Sequence, residues 1–227
     1  ASLSTSRMSS AIWDACPTSE PNRSSAARSA GFACARMPPA TQAKRNSALR
    51  VLNRLPVKGW ASGSGYDREG KFGDAWEDVD GNGCDTRNDI LQRDLVRTTI
   101  RNCVVYSGVL YDPYTRKVIQ HERGRYGVDI DHVVALGNAW QTGAFRWTPE
   151  QRKEFANDPL NLLAVDSSAN RQKGDGDAAT WLPANKSYRC AYVARQIAVK
   201  AKYRLWVTPP EKAAMKRVLT ACPGQRI

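Results

Sequence analysis

Residues 128–136 read VDIDHVVAL, and residues 158–177 read DPLNLLAVDSSANRQKGDGD. YGVDID (126–131) reads as a short strand that runs into the acid–histidine pair Asp131-His132. Adjacent side chains of an ideal strand point to opposite faces, so these two share a site only where the strand ends or bends. A strand-to-loop junction is therefore expected here. NLLAV (161–165) reads as a second short apolar strand, carrying Asn161. Asn170 follows nine residues later, near a helix start capped by Ser167 or Ser168.

Together these residue types suit one kind of chemistry. Phosphodiester hydrolysis at neutral pH needs a base for water and a cation for the developing charge. Histidine serves the first need because its pKa lies near the working pH. A hard divalent ion on oxygen ligands serves the second. His132 is the candidate base and Asp131 the carboxylate beside it. Asn161 is placed to hydrogen-bond backbone around the His132 loop and fix the imidazole, and Asn170 to offer its amide oxygen to a metal. Alone, each asparagine is most often a turn or cap residue. The other histidine, His121, lies in the basic stretch IQHERGR, which reads as exposed and without function.

The chain of 227 residues carries 34 Lys+Arg against 22 Asp+Glu, a formal charge of +12, which suits a polyanionic partner or, more plainly, solubility. Its 41% hydrophobic content excludes wholesale disorder, and no apolar run is long enough to span a membrane. Six separated cysteines with no C-x-x-C cluster argue for disulfides and an oxidising compartment over a zinc site. Of the fifteen possible pairings, we expect neighbour with neighbour: Cys16–Cys34, Cys84–Cys103 and Cys190–Cys222. Export is expected, with any signal peptide already removed before Ala1.

Residues 1–48, rich in Ser, Ala and Arg, read as a loosely ordered leader, and residues 49–227 as the folded domain. In the latter, Leu49–Leu55 begins a helix that Pro56 ends, and 59–85 is irregular. Residues 86–100 read as a helix capped by Asp85 or Thr86, with Leu91 and Leu95 on one face. Strands at 102–112 and 116–120 are joined by the turn Asp112-Pro113-Tyr114-Thr115. Helices follow at PEQRKEF (149–155) and around 189–205, the latter with Cys190, Val193, Ile197, Ala201 and Leu205 on one face amid basic residues. The double proline 209–210 ends that element, and 211–219 forms the last helix.

The ordered set D-H … N-x8-N resembles the HNH (ββα-metal) endonucleases, whose three pieces are matched by DIDHVVAL, NLLAV and ANRQKGD. From about Gly59 to Cys222 the chain is similar to a secreted HNH nuclease family of actinomycete type, through GCDTRNDIL, DPYTRKVI, HVVALGNAWQTGA and ANDPLNLLAVD. The same domain is similar to the C-terminal part of GmrSD-type restriction enzymes. Residues 1–48 fall outside the resemblance.

The resemblance implies an α+β fold: a ββα-metal core with surrounding helices and a small antiparallel sheet, stapled by disulfides. It implies a monomeric, secreted, metal-dependent endonuclease of low sequence specificity, acting on DNA, with RNA left open. His132 and Asn161 would be catalytic, and Asp131 and Asn170 would bind one Mg2+ or Mn2+. Arg171, Lys173 and the basic 189–204 helix would contact phosphate, and Asp129, on the face of Asp131, would support the metal ligands. The products would carry 5′-phosphate and 3′-hydroxyl ends. Many HNH enzymes carry a histidine ligand four residues past the last position; Gly174 stands there, which favours hard Mg2+ or Mn2+ over Zn2+.

Two alternatives stay open: a non-enzymatic basic nucleic-acid-binding module, and a nuclease toxin with an inhibitor partner. A second metal motif also competes. Asp78, Asp80 and Asn82 open like an EF-hand loop, but position twelve is Asp89 where a bidentate Glu is usual. A structural Ca2+ there is the lesser expectation, and a polar turn leading into the next helix the greater.

Overall fold

Apolar residues set close in sequence order the chain into short elements, each burying one face. A computed structural model describes residues 47–227. The first helix, α1 (Ala48–Arg54), buries Ala48 and Leu52 and stops before Pro56. The leader, with Cys16 and Cys34, lies outside the described residues.

The stretch 59–85 is irregular except for a short helix, α2 (Arg68–Phe72), capped by Asp67 and burying Phe72. Asp85 caps α3 (Thr86–Asp94), its carboxylate accepting from the Asn88 N–H. The helix expected over 86–100 ends early, because Leu95 turns extended and Val96–Arg101 forms a strand, β1. Val96, Thr98, Thr99 and Ile100 are β-branched and fit a pleated surface. β1 pairs antiparallel with β2 (Val104–Tyr111), which pairs antiparallel with β3 (Val118–Glu122) across the expected turn. His121, expected exposed, is buried in β3, opposite Gly108.

β4 (Val128–His132) leads into α4 (Leu136–Gln141), a helix the sequence pattern did not suggest. α5 (Pro149–Ala156) begins with a Thr148–Gln151 capping box and proline in its first turn. β5 (Leu162–Asp166) pairs antiparallel with β4, Asp131 opposite Leu163 and Asp129 opposite Val165. Asn161 lies just before β5, not within it. α6 (Ser167–Lys173) is capped by Asp166, which accepts from the Ala169 N–H in place of the serines expected there. α7 (Arg189–Lys202) and α8 (Pro209–Thr220) complete the chain; Pro209 and Pro210 open α8 behind a Thr208–Glu211 capping box.

The fold is α+β, with eight α-helices, a three-stranded sheet and the β4–β5 pair among the described residues. α3 packs between the two sheets, where Ile90, Leu91, Val105, Leu110, Val128, Ile130, Leu162 and Ala164 form one core cluster. Alternation along β4 and β5 sends their other side chains the opposite way: Leu163 and Val165 join α1, α7 and α8 in a second cluster. A third gathers Phe72, Trp140, Phe155 and Leu205. Disulfides join Cys84 to Cys103 and Cys190 to Cys222, as expected. No helix among the described residues is long and apolar enough to cross a membrane.

The basic face of α7 is committed to the protein itself. Arg189 donates to the Pro183 carbonyl, and Arg195 to those of Pro159, Leu160 and Leu162. Lys200 is 1% exposed and 2.9 Å from Glu211; Lys202 pairs with Asp158 at 2.7 Å with 47% of its side chain exposed. Of the basic residues read on this stretch, Arg204 is exposed and forms no ion pair among the described residues.

Removing one partner of a buried ion pair strands the other charge, at a cost of about 3–5 kcal/mol, whereas an exposed pair contributes at most about 1 kcal/mol. Urea unfolding should show Lys200→Met losing about 3–5 kcal/mol and Lys202→Met about 1 kcal/mol or less. Equal losses would show that Lys200 is not the sole counter-charge of Glu211.

Candidate functional site

Asp129 and Asp131 lie two residues apart on β4 and so face α6 together, while Val128 and Ile130 enter the core against α3. α6 answers with side chains three residues apart. Ser167 Oγ and Asn170 Nδ2 donate to the Asp129 carboxylate at 2.8 and 3.2 Å. Lys173 Nζ donates to Asp131 Oδ1 at 2.8 Å, and the Tyr114 hydroxyl donates to Asp131 Oδ2 at 2.6 Å. Burial pushes the Asp131 carboxyl above the usual carboxylate range, against the opposing pull of Lys173 and Tyr114.

His132 ends β4, where the chain bends. Asn161, wholly buried, holds that bend on three bonds. Its carbonyl accepts from the Val133 N–H at 2.7 Å and its Oδ1 from the Val134 N–H at 2.8 Å, while its Nδ2 donates to the Val134 carbonyl at 3.2 Å. The bend lets Asp131 and His132 line one cavity despite their adjacency.

The His132 ring stacks on Trp76, centroids 6.0 Å apart at 14°. Its Nε2 lies 2.8 Å from the Ala156 carbonyl oxygen. A carbonyl only accepts, so Nε2 carries the proton and donates it, which leaves Nδ1 as the lone-pair nitrogen. Burial pulls the imidazole down to about 3; the Ala156 carbonyl opposes this, and the positive charges of Arg68 and Lys173 add to it. The ring is thus neutral near pH 7.

The cavity, about 260 Å³, is lined by Asp131, His132 and Asn170 together with Arg68 and Asp175. The last two were not singled out from the sequence. Asp175 lies within the KGDGD run directly after α6, so its place beside Asn170 was within reach of a local reading. It accepts from the Gly137 N–H at 3.3 Å, and a Cβ at Gly137 would sit 2.6 Å from its carboxylate. Arg68 comes from the glycine-rich stretch far upstream and has no local signal. Tyr114 was likewise read only as a turn residue, and Trp76 lay in the stretch read as irregular.

The two residues expected to contact phosphate differ in their surroundings. Lys173 is 3% exposed and donates to Asp131 and to the His132 carbonyl, both at 2.8 Å. Its ammonium is the counter-charge of a desolvated carboxylate. Arg171 points outward, 4.5 Å above the Tyr126 ring. Arg68 is the exposed cation that lines the cavity.

The loop at 78–89 closes on itself. The Asp78 carboxylate accepts from the N–H groups of Gly81, Asn82 and Gly83, and Asn82 Nδ2 donates to Asp80 and Asp89. Among the described residues no group of three or more His, Cys, Asp or Glu is arranged to hold a metal. The set Asp131–Asn170 provides two oxygen donors.

The family described as GmrSD restriction endonucleases, C-terminal domain, matches residues 85–218. That range holds Asp129, Asp131, His132, Asn161, Asn170 and Asp175, and leaves out Arg68 and Trp76. A protein of Arthroderma benhamiae named "Uncharacterized secreted protein" is 38% identical over 180 residues, covering 78% of this chain and 85% of that protein. No solved structure matches. The expected resemblance is borne out, and the two disulfides fit the oxidising compartment expected of an exported protein.

Tyr114→Phe keeps the ring and removes one hydrogen bond to a buried charge, an interaction that contributes about 1.5–3 kcal/mol. Chemical denaturation should register a loss of that size. An unchanged midpoint and slope would mean that Asp131 does not depend on the hydroxyl.

Proposed function

The chain belongs to the family of GmrSD restriction endonuclease C-terminal domains, and from that premise we propose that it is a secreted, metal-dependent nuclease that hydrolyses phosphodiester bonds of DNA, and of RNA where the strand fits, with little sequence preference. In this reading β4, β5 and α6 are the ββα-metal core of an HNH enzyme. The observation that carries it is the meeting of Asp131, His132 and Asn170 at one cavity, with His132 Nε2 engaged and Nδ1 free of protein partners among the described residues.

The donor set fits a hard divalent cation. A carboxylate has about four lone-pair sites, and Tyr114 and Lys173 occupy only two on Asp131. Asn170 gives its Nδ2 to Asp129, which leaves its amide oxygen without a protein donor among the described residues. Oxygen donors and no second histidine favour Mg2+ or Mn2+. When bound, such an ion supplies Lewis-acid stabilisation of charge on the phosphate and on the departing oxygen.

The residues of the chain supply the rest. Asn161 fixes the loop that aims the imidazole. His132 Nδ1 accepts a proton from the attacking water as its oxygen bonds to phosphorus. The bond from phosphorus to the 3′ oxygen breaks, and that oxygen takes a proton from solvent, leaving a 3′-hydroxyl and a 5′-phosphate. The negative charge of the phosphate favours the imidazolium that forms, offsetting the burial that otherwise disfavours it. Arg68 binds the phosphate from the open side of the cavity.

Purified protein should cut plasmid DNA with Mg2+ or Mn2+ and stop with EDTA. His132→Ala should slow cleavage by about 10²–10⁴-fold, the usual contribution of a general base, with the circular dichroism unchanged. Wild-type cleavage by that variant would sink the mechanism. Salt-sensitive binding without cleavage under any divalent ion would instead identify a non-enzymatic binding module.

A further inference from the structure

A second hollow, of about 550 Å³, opens between the segment that follows α6, the start of α7 and the C-terminal half of α8. Trp181, Lys186, Arg189, Arg217 and Val218 are among its walls, and no carboxylate lines it. Pockets that enclose a ligand run from about 300 to 1,000 Å³, so the hollow is of a size to take one. Trp181 is half-buried and held edge-on by Tyr114 and Tyr192, at 5.0 and 5.7 Å between centroids. Arg189 is partly engaged by the Pro183 carbonyl at 2.7 Å. Lys186 and Arg217 are exposed and form no ion pair among the described residues.

This hollow and the candidate active site are bordered by neighbouring residues of one segment. Gly174 and Asp175 line the His132 cavity, and Ala178–Leu182 line the hollow, so one short run of chain borders both. That run is fixed: the Gly176 N–H donates to the Lys173 carbonyl, and the Asp177 carboxylate accepts from the N–H groups of Ala179 and Thr180. Tyr114 joins them from beneath, with its hydroxyl on Asp131 and its ring against Trp181. The cavity at His132, about 260 Å³, lies below the range of pockets that enclose a whole ligand, so the rest of a bound strand must lie elsewhere on the surface.

We propose that this groove is an exosite for a single-stranded stretch of the nucleic-acid substrate, with Lys186 and Arg217 on its phosphates and the Trp181 indole as a stacking face for a base. A cationic groove with an aromatic platform is the usual way to hold a single strand without reading its sequence. The assignment rests on the nuclease reading above and goes beyond it in naming where, and in what form, the strand continues past the scissile phosphate.

The test compares the full chain with its Lys186→Ala/Arg217→Ala double variant, in EDTA, on a labelled single-stranded oligodeoxynucleotide across a salt series. Each phosphate contact to a single strand contributes about 0.7 to the slope of log affinity against log salt. The variant's slope should therefore fall by about 1.4. Hydrolysis of bis(p-nitrophenyl) phosphate with Mn2+, a diester too small to reach the groove, should stay unchanged. An equal slope and affinity in the variant overturns the exosite while leaving the nuclease reading in place. Loss of the small-diester reaction in the variant also overturns it, since the substitutions would then act on the active site. A wild-type protein that binds no oligonucleotide overturns the exosite, and the nuclease reading is then decided by plasmid cleavage with Mg2+ or Mn2+. One that binds with the expected slope difference but cleaves nothing supports the groove and overturns the nuclease.

Discussion

A buried carboxylate organises this molecule. Asp131 is 4% exposed, and taking such a charge out of water costs several kcal/mol unless partners replace the lost hydration. Two partners do so from different parts of the chain. Lys173 comes from the end of α6 and Tyr114 from the turn between β2 and β3. To satisfy one charge, the fold must therefore bring a strand, a helix and a hairpin turn to the same point. The same ammonium also binds the His132 carbonyl, which ties the position of the imidazole to the same constraint. A site built around a charge that must be paired is set in place before any substrate arrives.

A two-stranded pair such as β4–β5 is marginal by itself, because its outer edge leaves backbone groups unpaired. Side chains complete that edge here. Asp94 accepts from the Ala164 N–H and Asp112 from the Asp166 N–H, at 2.8 and 3.0 Å. Arg93 and Arg195 both reach the Leu162 carbonyl at 2.7 Å, and both donate to Pro159 as well. The edge of β5 is thus bonded without a third strand. These residues come from α3, the β2–β3 turn and α7, so the elements that surround the core are also the ones that close it.

Much of this was legible in the sequence because the signals were local. The Asp112–Thr115 turn, the cap at Asp85, the Thr-Pro start of α5 and the alternation of YGVDID each need only a few neighbouring residues. The set of Asp131, His132, Asn161 and Asn170 was singled out for another reason: its residue types suit the proposed reaction. What failed was long-range. The division of 86–100 into helix and strand depends on β2, which offers Val96–Arg101 a partner that propensity within the segment does not reveal. Lys173 read as a surface cation because its counter-charge lies on β4, forty-two residues away in sequence. Arg68 carried no signal at all, since only the folded chain brings the glycine-rich stretch to the cavity.

The positive charge of the chain divides along the same line. Of the basic residues that sequence reading aimed at phosphate, Lys173, Arg195 and Lys200 are bound to the protein's own carbonyls and carboxylates, and Lys202 to Asp158. A cation already paired at short range contributes little field to an approaching polyanion, because its partner cancels it within a few ångströms. The surplus that a strand can sense must therefore come from exposed cations without such partners. Arg68 at the His132 cavity and Lys186 and Arg217 at the groove are of that kind. The short run of chain that follows α6 borders both of these cavities, so the unpaired cations of each are set around the same fixed segment.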